Sequence, residues 1–216
     1  MNLLDVLVEP RTGADRRGLR FGVVVGIVSN NQDPEKLGRV KVKFPWLAPD
    51  DESNWARVVA PMAGPDRGIS LLPDVDDEVL VAFEKGDPRA PYVLGALWNG
   101  VDKPPSLKDN DADNDLLVLK SRSGHLVVLD DTSGSEKIEI TDKTGKNLVR
   151  IESSSNAITI EADGDISLKA ANGSITLDAK SVTVKTSAEA KVEAGSTLDL
   201  KAGGTLTVKG TTVNIN

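Results

Sequence analysis

Residues 158–184 read ITIEADGDISLKAANGSITLDAKSVTV, and this stretch decides the fold of the chain. It holds four triplets in which a polar residue lies between two aliphatic ones, and four similar triplets follow. The eight triplets begin at Ile158, Ile166, Ile175, Val182, Ala190, Leu198, Leu206 and Val213. A motif rich in β-branched residues that recurs about every eight residues predicts a β-helix or a related fibrous β-fold.

The triplets also predict which side chains are buried. Successive side chains of a strand point to opposite faces, so the two outer aliphatics of a triplet share one face and the central polar residue lies on the other. The predicted core of the β-helix consists of Ile158, Ile160, Ile166, Leu168, Ile175, Leu177, Val182, Val184, Leu198, Leu200, Leu206 and Val208. Between triplets, residues such as Asn172 and Gly173 tolerate the positive backbone angles expected at corners. We therefore expect a corner about every eight residues.

The length of the repeat favours three intertwined chains over one. A single chain with three sides per rung would complete only about two and a half rungs, whereas a solenoid needs three or more repeats and protected ends. If three chains wind around one axis, each supplies one strand per layer and neighbouring chains pair every strand edge. With layers about 4.8 Å apart, eight triplets form a prism roughly 40 Å long. The sequence thus predicts an intertwined homotrimeric triple-stranded β-helix.

A β-sandwich is the alternative that the alternation alone leaves open. A sandwich core is about 10 Å thick and is normally filled in part by aromatic residues. Residues 106–216 contain no aromatic residue and no proline, whereas residues 1–105 hold all seven aromatics and all eleven prolines. A narrow prism filled by Val, Ile, Leu and Ala fits this composition better.

The N-terminal half is predicted to fold as a small barrel. Its alternating segments, separated by proline and Gly-Asp turn signals, predict strands over residues 21–28, 39–44, 56–60, 78–83 and 92–97. Five strands in about eighty residues fit a closed barrel of the OB type. The whole chain is therefore predicted to be all-β, with an OB barrel before the trimeric prism.

Composition limits the function classes further. The chain has a formal net charge of -7 and no cysteine, which excludes disulfides and thiol chemistry. No apolar run approaches the length of a membrane span, and the short apolar start is followed by a charged stretch that does not resemble a secretory signal. We expect synthesis in the cytoplasm.

Several motifs resemble a known family. The segments GRVKVKFPW (residues 38–46), WARV (55–58), EVLV (78–81) and GDP (86–88) resemble the OB domain of the central spike of contractile tails. That family includes phage baseplate assembly protein V and the VgrG-like (valine-glycine repeat) spikes of type VI secretion systems. The segment RSGH (122–125) resembles the entrance to their triple-stranded β-helix. The resemblance extends over about residues 20–216.

This resemblance implies a homotrimeric structural spike, without enzymatic activity, that is seated on a baseplate hub and punctures the target envelope mechanically. It divides the chain into a hub-docking arm (1–19), an OB domain (20–100), a linker (101–120) and the trimeric β-helix spike (121–216). Larger relatives carry a fused hub domain before the barrel, and some insert a lysozyme domain after it. The short segments here imply a separate hub protein, no inserted enzyme, and assembly into a phage tail or phage-tail-like particle.

The last residues are predicted to dock a tip protein. Some phage spikes of this family bind iron through a His-x-His pair at the tip, but residues 210–216 read GTTVNIN, without histidine. We therefore expect a blunt end with no metal and no cofactor. The resemblance implies a PAAR-like conical tip protein, from the proline-alanine-alanine-arginine repeat class, bound at Thr212, Val213, Asn214, Ile215 and Asn216.

Three motifs resemble metal-binding or catalytic sites, but each has a simpler structural interpretation. Residues 109–115 alternate carboxylates as a calcium loop does, but Asn114 stands where glycine is wanted and Lys120 where glutamate is wanted, which favours a solvated linker. His125 is the single histidine and is expected to stabilise a turn. Asp130 and Asp131 are adjacent on a strand and face opposite sides, so they cannot flank one bond as acid and base.

Two other function classes remain as alternatives. A trimeric OB module that binds single-stranded nucleic acid needs a basic groove with exposed stacking aromatics. Some charge near one strand comes from Lys36, Arg39, Lys41 and Lys43. Because the chain is net acidic, we prefer the spike and expect no nucleic acid as a partner. A carbohydrate lyase on a trimeric β-helix would need aromatic sugar platforms, which the repeat lacks.

Overall fold

The computed structural model of the chain describes residues 21–46, 48–106 and 113–215. Its strands are β1 (Val23–Asn30), β2 (Arg39–Phe44), β3 (Ala48–Glu52), β4 (Ala56–Val58), β5 (Ala63–Gly64), β6 (Arg67–Gly68), β7 (Glu78–Phe83), β8 (Pro91–Ala96), β9 (Leu116–Lys120), β10 (Leu126–Asp130), β11 (Lys137–Thr141), β12 (Leu148–Glu152) and β13 (Ala157–Glu161). A single 3-10 turn, Glu84–Gly86, joins β7 to β8, and no α-helix occurs within the described ranges. The predicted all-β fold is confirmed.

The N-terminal strands form a closed barrel. Six of them hydrogen-bond in the order β1-β7-β8-β4-β2-β3, and an additional pairing of β1 with β2 closes the sheet on itself. Strand β1 achieves this by pairing with β7 over its first half and with β2 over its second half, with a bulge between Val28 and Asn30. Such a small closed barrel is an OB-type barrel, as predicted.

The barrel core is built from alternating positions. In β2 the buried residues are Val40, Val42 and Phe44, while the lysines and arginine between them are only half-buried. Strand β7 alternates in the same way, and the complete core consists of Val28, Val40, Val42, Phe44, Ala56, Val79, Val81, Phe83 and Val93. Full burial of a valine side chain contributes about 1.5–3 kcal/mol, so this cluster is the main source of barrel stability.

The barrel has two ends that lead to different parts of the chain. At the entry end, β1 and β8 begin and β2 and β7 finish. At the exit end, β4 and β8 finish side by side and β7 begins, and the chain leaves there toward β9. The Arg122 guanidinium lies 3.2 Å from the Asp74 carboxylate, an ion pair that ties the β9–β10 turn to the exit end.

Strands β9 to β13 form a second sheet in which each strand pairs antiparallel with the next in sequence. The turns between β9 and β10, between β10 and β11 and between β11 and β12 contain Gly124, Gly134 and Gly145, all with positive φ. We call this five-stranded sheet the meander. Its first strand occupies residues 116–120, which the sequence analysis assigned to a linker, and its last strand contains the first aliphatic triplet.

Residues 162–215 form a separate unit. Extended segments alternate with bends at residues 163–164, 171–173, 179–180, 187–188, 195–196, 203–204 and 211, and the segments pair with no other strand of the described chain. The bends recur at the predicted spacing of about eight residues. The Asn and Gly residues at these bends were predicted to adopt positive φ. That prediction is wrong, because no residue between 162 and 215 has positive φ.

Candidate functional site

Aliphatic side chains cover one face of the meander completely. The cross-strand partners on this face form two rows, Leu117, Leu129, Ile138, Ile151 and Ile158 in one and Leu119, Val127, Ile140, Val149 and Ile160 in the other. We call these ten residues the aliphatic ladder. Nine of them are large exposed hydrophobics, from Val149 at 39% exposure to Ile158 at 71%. Two rows of five aliphatics with nothing over them form one continuous apolar surface.

The opposite face of the meander has a different character. It carries the ion pair between Arg150 Nε and Glu139 Oε2, at 2.6 Å, and the contact of 3.6 Å between Lys137 and Asp130. The buried Asp130 also accepts a hydrogen bond of 2.5 Å from the Thr132 hydroxyl. This face carries the ion pairs of the sheet, whereas the aliphatic ladder carries no charge, so the ladder is the larger uncovered apolar surface of the meander.

The aliphatic side chains of the triplets beyond the meander are also uncovered, and to a greater extent than those of the ladder. Every Val, Ile and Leu of the triplets from Ile166 to Ile215 is at least half exposed. This includes the predicted core positions, for example Leu168 at 72% and Val184 at 78%. Their predicted burial is a property of three chains together and stays a prediction. Alone, this unit holds a regular series of apolar side chains that its own chain does not cover.

The predicted tip-docking residues lie at the end of this series. Thr212, Val213, Asn214 and Ile215 are exposed, Val213 at 50% and Ile215 at 91%, and Asn216 lies outside the described residues. The docking itself stays a prediction.

The entry end of the barrel also exposes large side chains. Phe21 is 65% exposed, and its ring packs against the backbone of Gly86. Trp46 is half exposed, packs on Phe44 with 5.8 Å between ring centroids, and donates a 3.1 Å hydrogen bond from Nε1 to the Val25 carbonyl. An aromatic fixed in this way at a protein surface is typical of an interface anchor. The predicted arm, residues 1–19, lies outside the described residues.

The basic strand β2 is not arranged as a nucleic-acid groove. Arg39 and Lys41 lie over the Trp55 ring, 5.9 Å and 5.6 Å from its centroid. However, Arg39 also contacts Asp33 at 2.7 Å, and Lys41 contacts Glu52 at 3.0 Å. The bonds from Arg39, together with backbone amides of the β1–β2 loop, hold the pKa of Asp33 well below its usual range. These positive charges are neutralised by neighbours, which leaves little basic surface for phosphates.

His125 has the position that the sequence predicts. It lies in the turn before β10, where its Nδ1 accepts a hydrogen bond of 3.2 Å from the Lys143 amide. Its own backbone amide donates to the Ser121 hydroxyl at 3.0 Å. The imidazole therefore joins the β9–β10 turn to the β11–β12 turn.

The remaining motifs have plain outcomes. Most of the acidic stretch 109–115 lies outside the described residues. In the part of the chain that the structure describes, no three His, Cys, Asp or Glu side chains are grouped so that they could hold a metal. Within the same part, no helix has both the length and the apolar character to cross a membrane.

Comparison with known proteins agrees with the resemblance drawn from the motifs. Residues 24–98 match the family model described as the type VI secretion system/phage-baseplate injector OB domain. The chain is 30% identical over 149 residues to the type VI secretion system spike protein VgrG1a of Pseudomonas aeruginosa, covering 64% of this chain and 23% of that protein. It is 30% identical over 128 residues to the spike protein VgrG3 of Vibrio cholerae, covering 56% of this chain and 13% of that protein.

A third relative has a different name. The actin cross-linking toxin VgrG1 of Vibrio cholerae is 26% identical over 149 residues, which cover 67% of this chain and 13% of the toxin. The chain thus spans less than a quarter of the length of these curated relatives. The predicted resemblance to VgrG-like spikes is confirmed.

Sequence reasoning missed the aliphatic ladder as a site. It assigned Ile158 and Ile160 to the β-helix but did not place Leu117, Leu119 or Leu129 on any surface. The signal was present, because β9 to β13 each carry aliphatics two residues apart, at the spacing of one strand face.

Proposed function

We propose that this chain forms the homotrimeric spike of a contractile injection apparatus, either a phage tail or a related particle. Three chains bury their aliphatic ladders and triplets around one axis, and the barrels form a collar at the hub side. Contraction of the surrounding machine drives this body through the target envelope. The chain has a mechanical role and no catalytic one.

The observation that carries this proposal is the uncovered aliphatic surface. Nine ladder residues at about half exposure represent on the order of 800 Å² of surface, which is what one partner buries in a standard stable interface. The triplets of residues 162–215 add a comparable surface along a second unit. A soluble monomer rarely exposes apolar patches larger than a few hundred Å².

Three copies suit the extended unit better than two. Its segments hydrogen-bond to no strand of their own chain within residues 162–215, so their backbone groups need partners on both edges. In a ring of three chains each segment has a different chain on either side, whereas in a pair one neighbour would have to pair both edges. The names of the relatives, which are spike proteins, support the same assembly.

The two ends of the trimer have different partners. The aromatic surface at the entry end, with Phe21 and Trp46, faces a baseplate hub protein, and residues 1–19 contribute to that contact. Residues 212–216 receive a PAAR-like conical tip protein, which covers Val213 and Ile215 and ends the open strand layers. The assembled spike lies within the tail-like particle until contraction moves it onto the target envelope.

Native mass measured by light scattering, followed by an SDS gel without boiling, tests the proposal. The expected result is a particle of about three times the chain mass of 22.9 kDa that resists SDS until it is heated. A monomer that binds a dye for exposed apolar surface and migrates as 22.9 kDa without heating would contradict the trimer and the mechanical role with it.

A further inference from the structure

A hairpin arm projects from the exit end of the barrel between β4 and β7. All residues from 61 to 72 are exposed, yet the arm is well defined by its own bonds. Strands β5 and β6 pair within it, and the Ile69 amide donates a 3.0 Å hydrogen bond to the Met62 carbonyl. Gly68 has φ of 148°, and a Cβ there would lie 2.5 Å from the Met62 oxygen, so the arm requires glycine. This hairpin holds its shape through its own bonds while none of its residues is buried, which is the form of an element that interlocks with another chain.

The arm and the β1–β2 loop border an open recess of about 700 Å³. Its lining includes six large apolar side chains, Leu37, Val59, Met62, Ile69, Leu71 and Leu72, together with the charged residues Lys36, Asp66 and Arg67. All six are exposed, Leu37 and Leu71 by about two thirds. The recess is large enough to receive a bulky side chain. Among the described residues, no aromatic side chain of the same chain lines it.

A candidate for that side chain is presented at the same end of the barrel. Trp98 follows β8 directly and is 70% exposed, and Val101 beside it is 87% exposed. The stretch is held in a turn because Asn99 Oδ1 accepts hydrogen bonds from the amides of Val101 (2.8 Å) and Asp102 (2.7 Å). The neighbouring Leu97 amide donates to the Glu78 carbonyl at the start of β7. The backbone on either side of Trp98 is thus held in place, and the exposed indole does not line the recess of its own chain.

The symmetry of a trimer explains why both features exist. A ring of three identical chains needs a heterologous contact, in which one patch of each chain meets a different patch of the next. The arm recess and the Trp98 turn are two different exposed apolar patches, and both lie at the exit end. Tryptophan is enriched, with tyrosine and arginine, among the residues that anchor protein interfaces in pockets.

We propose that Trp98 of each chain inserts into the arm recess of the next chain, so that three arms and three indoles lock the barrels into a ring. This inference rests on the homotrimer proposed above and adds a partner surface that is separate from the aliphatic ladder and the triplets. The barrels are then joined to one another directly and not only through the spike body.

Cross-linking in the full chain tests this, because the chain contains no cysteine of its own. Ser70, which lines the recess, and Gly100, whose Cβ position is open, are both replaced by cysteine, with Trp98 left in place. A short bis-maleimide is added to the double variant Ser70→Cys/Gly100→Cys and to each single variant as a matched control. The native mass of every variant is measured first.

The expected result is a covalent trimer from the double variant and no covalent product from either single variant. A variant that is trimeric by native mass but gives only a cross-link within one chain, or none, would overturn the insertion and leave the homotrimer standing. Covalent dimers from a single variant would also overturn it, since like patches would then meet. A native mass of one chain in all variants would overturn the homotrimer as well, so the two failures are distinguishable.

Discussion

Gly26 faces Val42 at the point where the barrel closes, and a methyl group on Gly26 would lie 2.3 Å from the Val42 Cγ1 atom. The same methyl would lie 3.1 Å from the Phe44 ring. Strand β1 pairs with β7 through Gly26 and Val79, and it begins to pair with β2 one residue later. The closing strand can therefore approach β2 only because it lacks a side chain here.

The first prediction follows from this contact. Gly26→Ala is expected to lower the free energy of unfolding of the barrel by about 1–3 kcal/mol, because an extra methyl in a close-packed core forces its neighbours to move. Gly95→Ala is the matched control, since Gly95 also lies in a barrel strand but has no atom within 4 Å of its Cβ position. Urea unfolding followed by tryptophan fluorescence measures both. Equal stability of the two variants would contradict the close approach.

The second prediction concerns the acid stability of the β1–β2 loop. Asp33 accepts hydrogen bonds from the Arg39 guanidinium and from the amides of residues 35, 37 and 39, and these bonds hold its pKa below the usual value. A carboxyl whose pKa is lower in the folded state stabilises the fold above its unfolded pKa of about 3.9 and loses that effect as the pH falls through the folded pKa. The wild-type barrel should therefore lose stability below about pH 4.

Asp33→Asn tests this reading. The variant should be less stable than the wild type at pH 7 and should lose less stability between pH 5 and pH 2, measured by urea unfolding at each pH. Asp87 and Asp142, whose pKa values are lowered to about 2 by Arg89 and by Thr144 respectively, keep part of the acid dependence. Glu35→Gln is the control, because the exposed Glu35 contacts Arg39 from solvent and should contribute little. A pH profile unchanged in Asp33→Asn would refute the role of Asp33.

The sequence predicted the barrel where alternation was strong. Strands β2 and β7 have the predicted bounds because both place Val or Phe at every second position. Strand β3 was missed since its sequence, APDDE, reads as a loop, and a proline is tolerated there because β3 lies at the edge of the sheet order. The hairpin arm of residues 61–72 was missed for a similar reason: its turn contains Pro65, and none of its residues is buried.

The assembly surfaces could be predicted only in part. The period of the triplets predicted a buried face. The contacts between chains that would bury this face are not contained in the pattern of a single chain. The meander was harder, because its aliphatics alternate with charges as they would in any half-buried strand, and only the register between Ile140 and Val149 shows that they form a single surface. Closure through Gly26 depends on contacts with β2, far along the chain, which no local pattern contains.

The third prediction tests burial of the triplets. Leu177→Asp would place three carboxylates near the common axis, and burying unpaired charges costs several kcal/mol for each. The variant is expected to lose both the trimeric mass and the resistance to SDS. Thr176→Asp, one residue earlier and on the predicted wet face, should keep both. Normal assembly of Leu177→Asp would exclude an axial position for that residue.

The fourth prediction tests the aliphatic ladder through the reactivity of introduced thiols. In the single chain Ile140 is 51% exposed whereas its neighbour Thr141, on the opposite face, is only partly exposed. A monomer would thus leave a cysteine at position 140 at least as reactive as one at position 141. If the ladder is covered by other copies, the order reverses, because the thiol at 140 can react only when the interface opens.

We expect Ile140→Cys to react with an aromatic disulfide reagent about tenfold more slowly than Thr141→Cys, which corresponds to an opening cost of roughly 1.4 kcal/mol or more. Both variants should regain equal rates in denaturant. A faster reaction at 140 in a particle of trimeric mass would show that the ladder faces solvent and that surfaces other than the ladder hold the chains together.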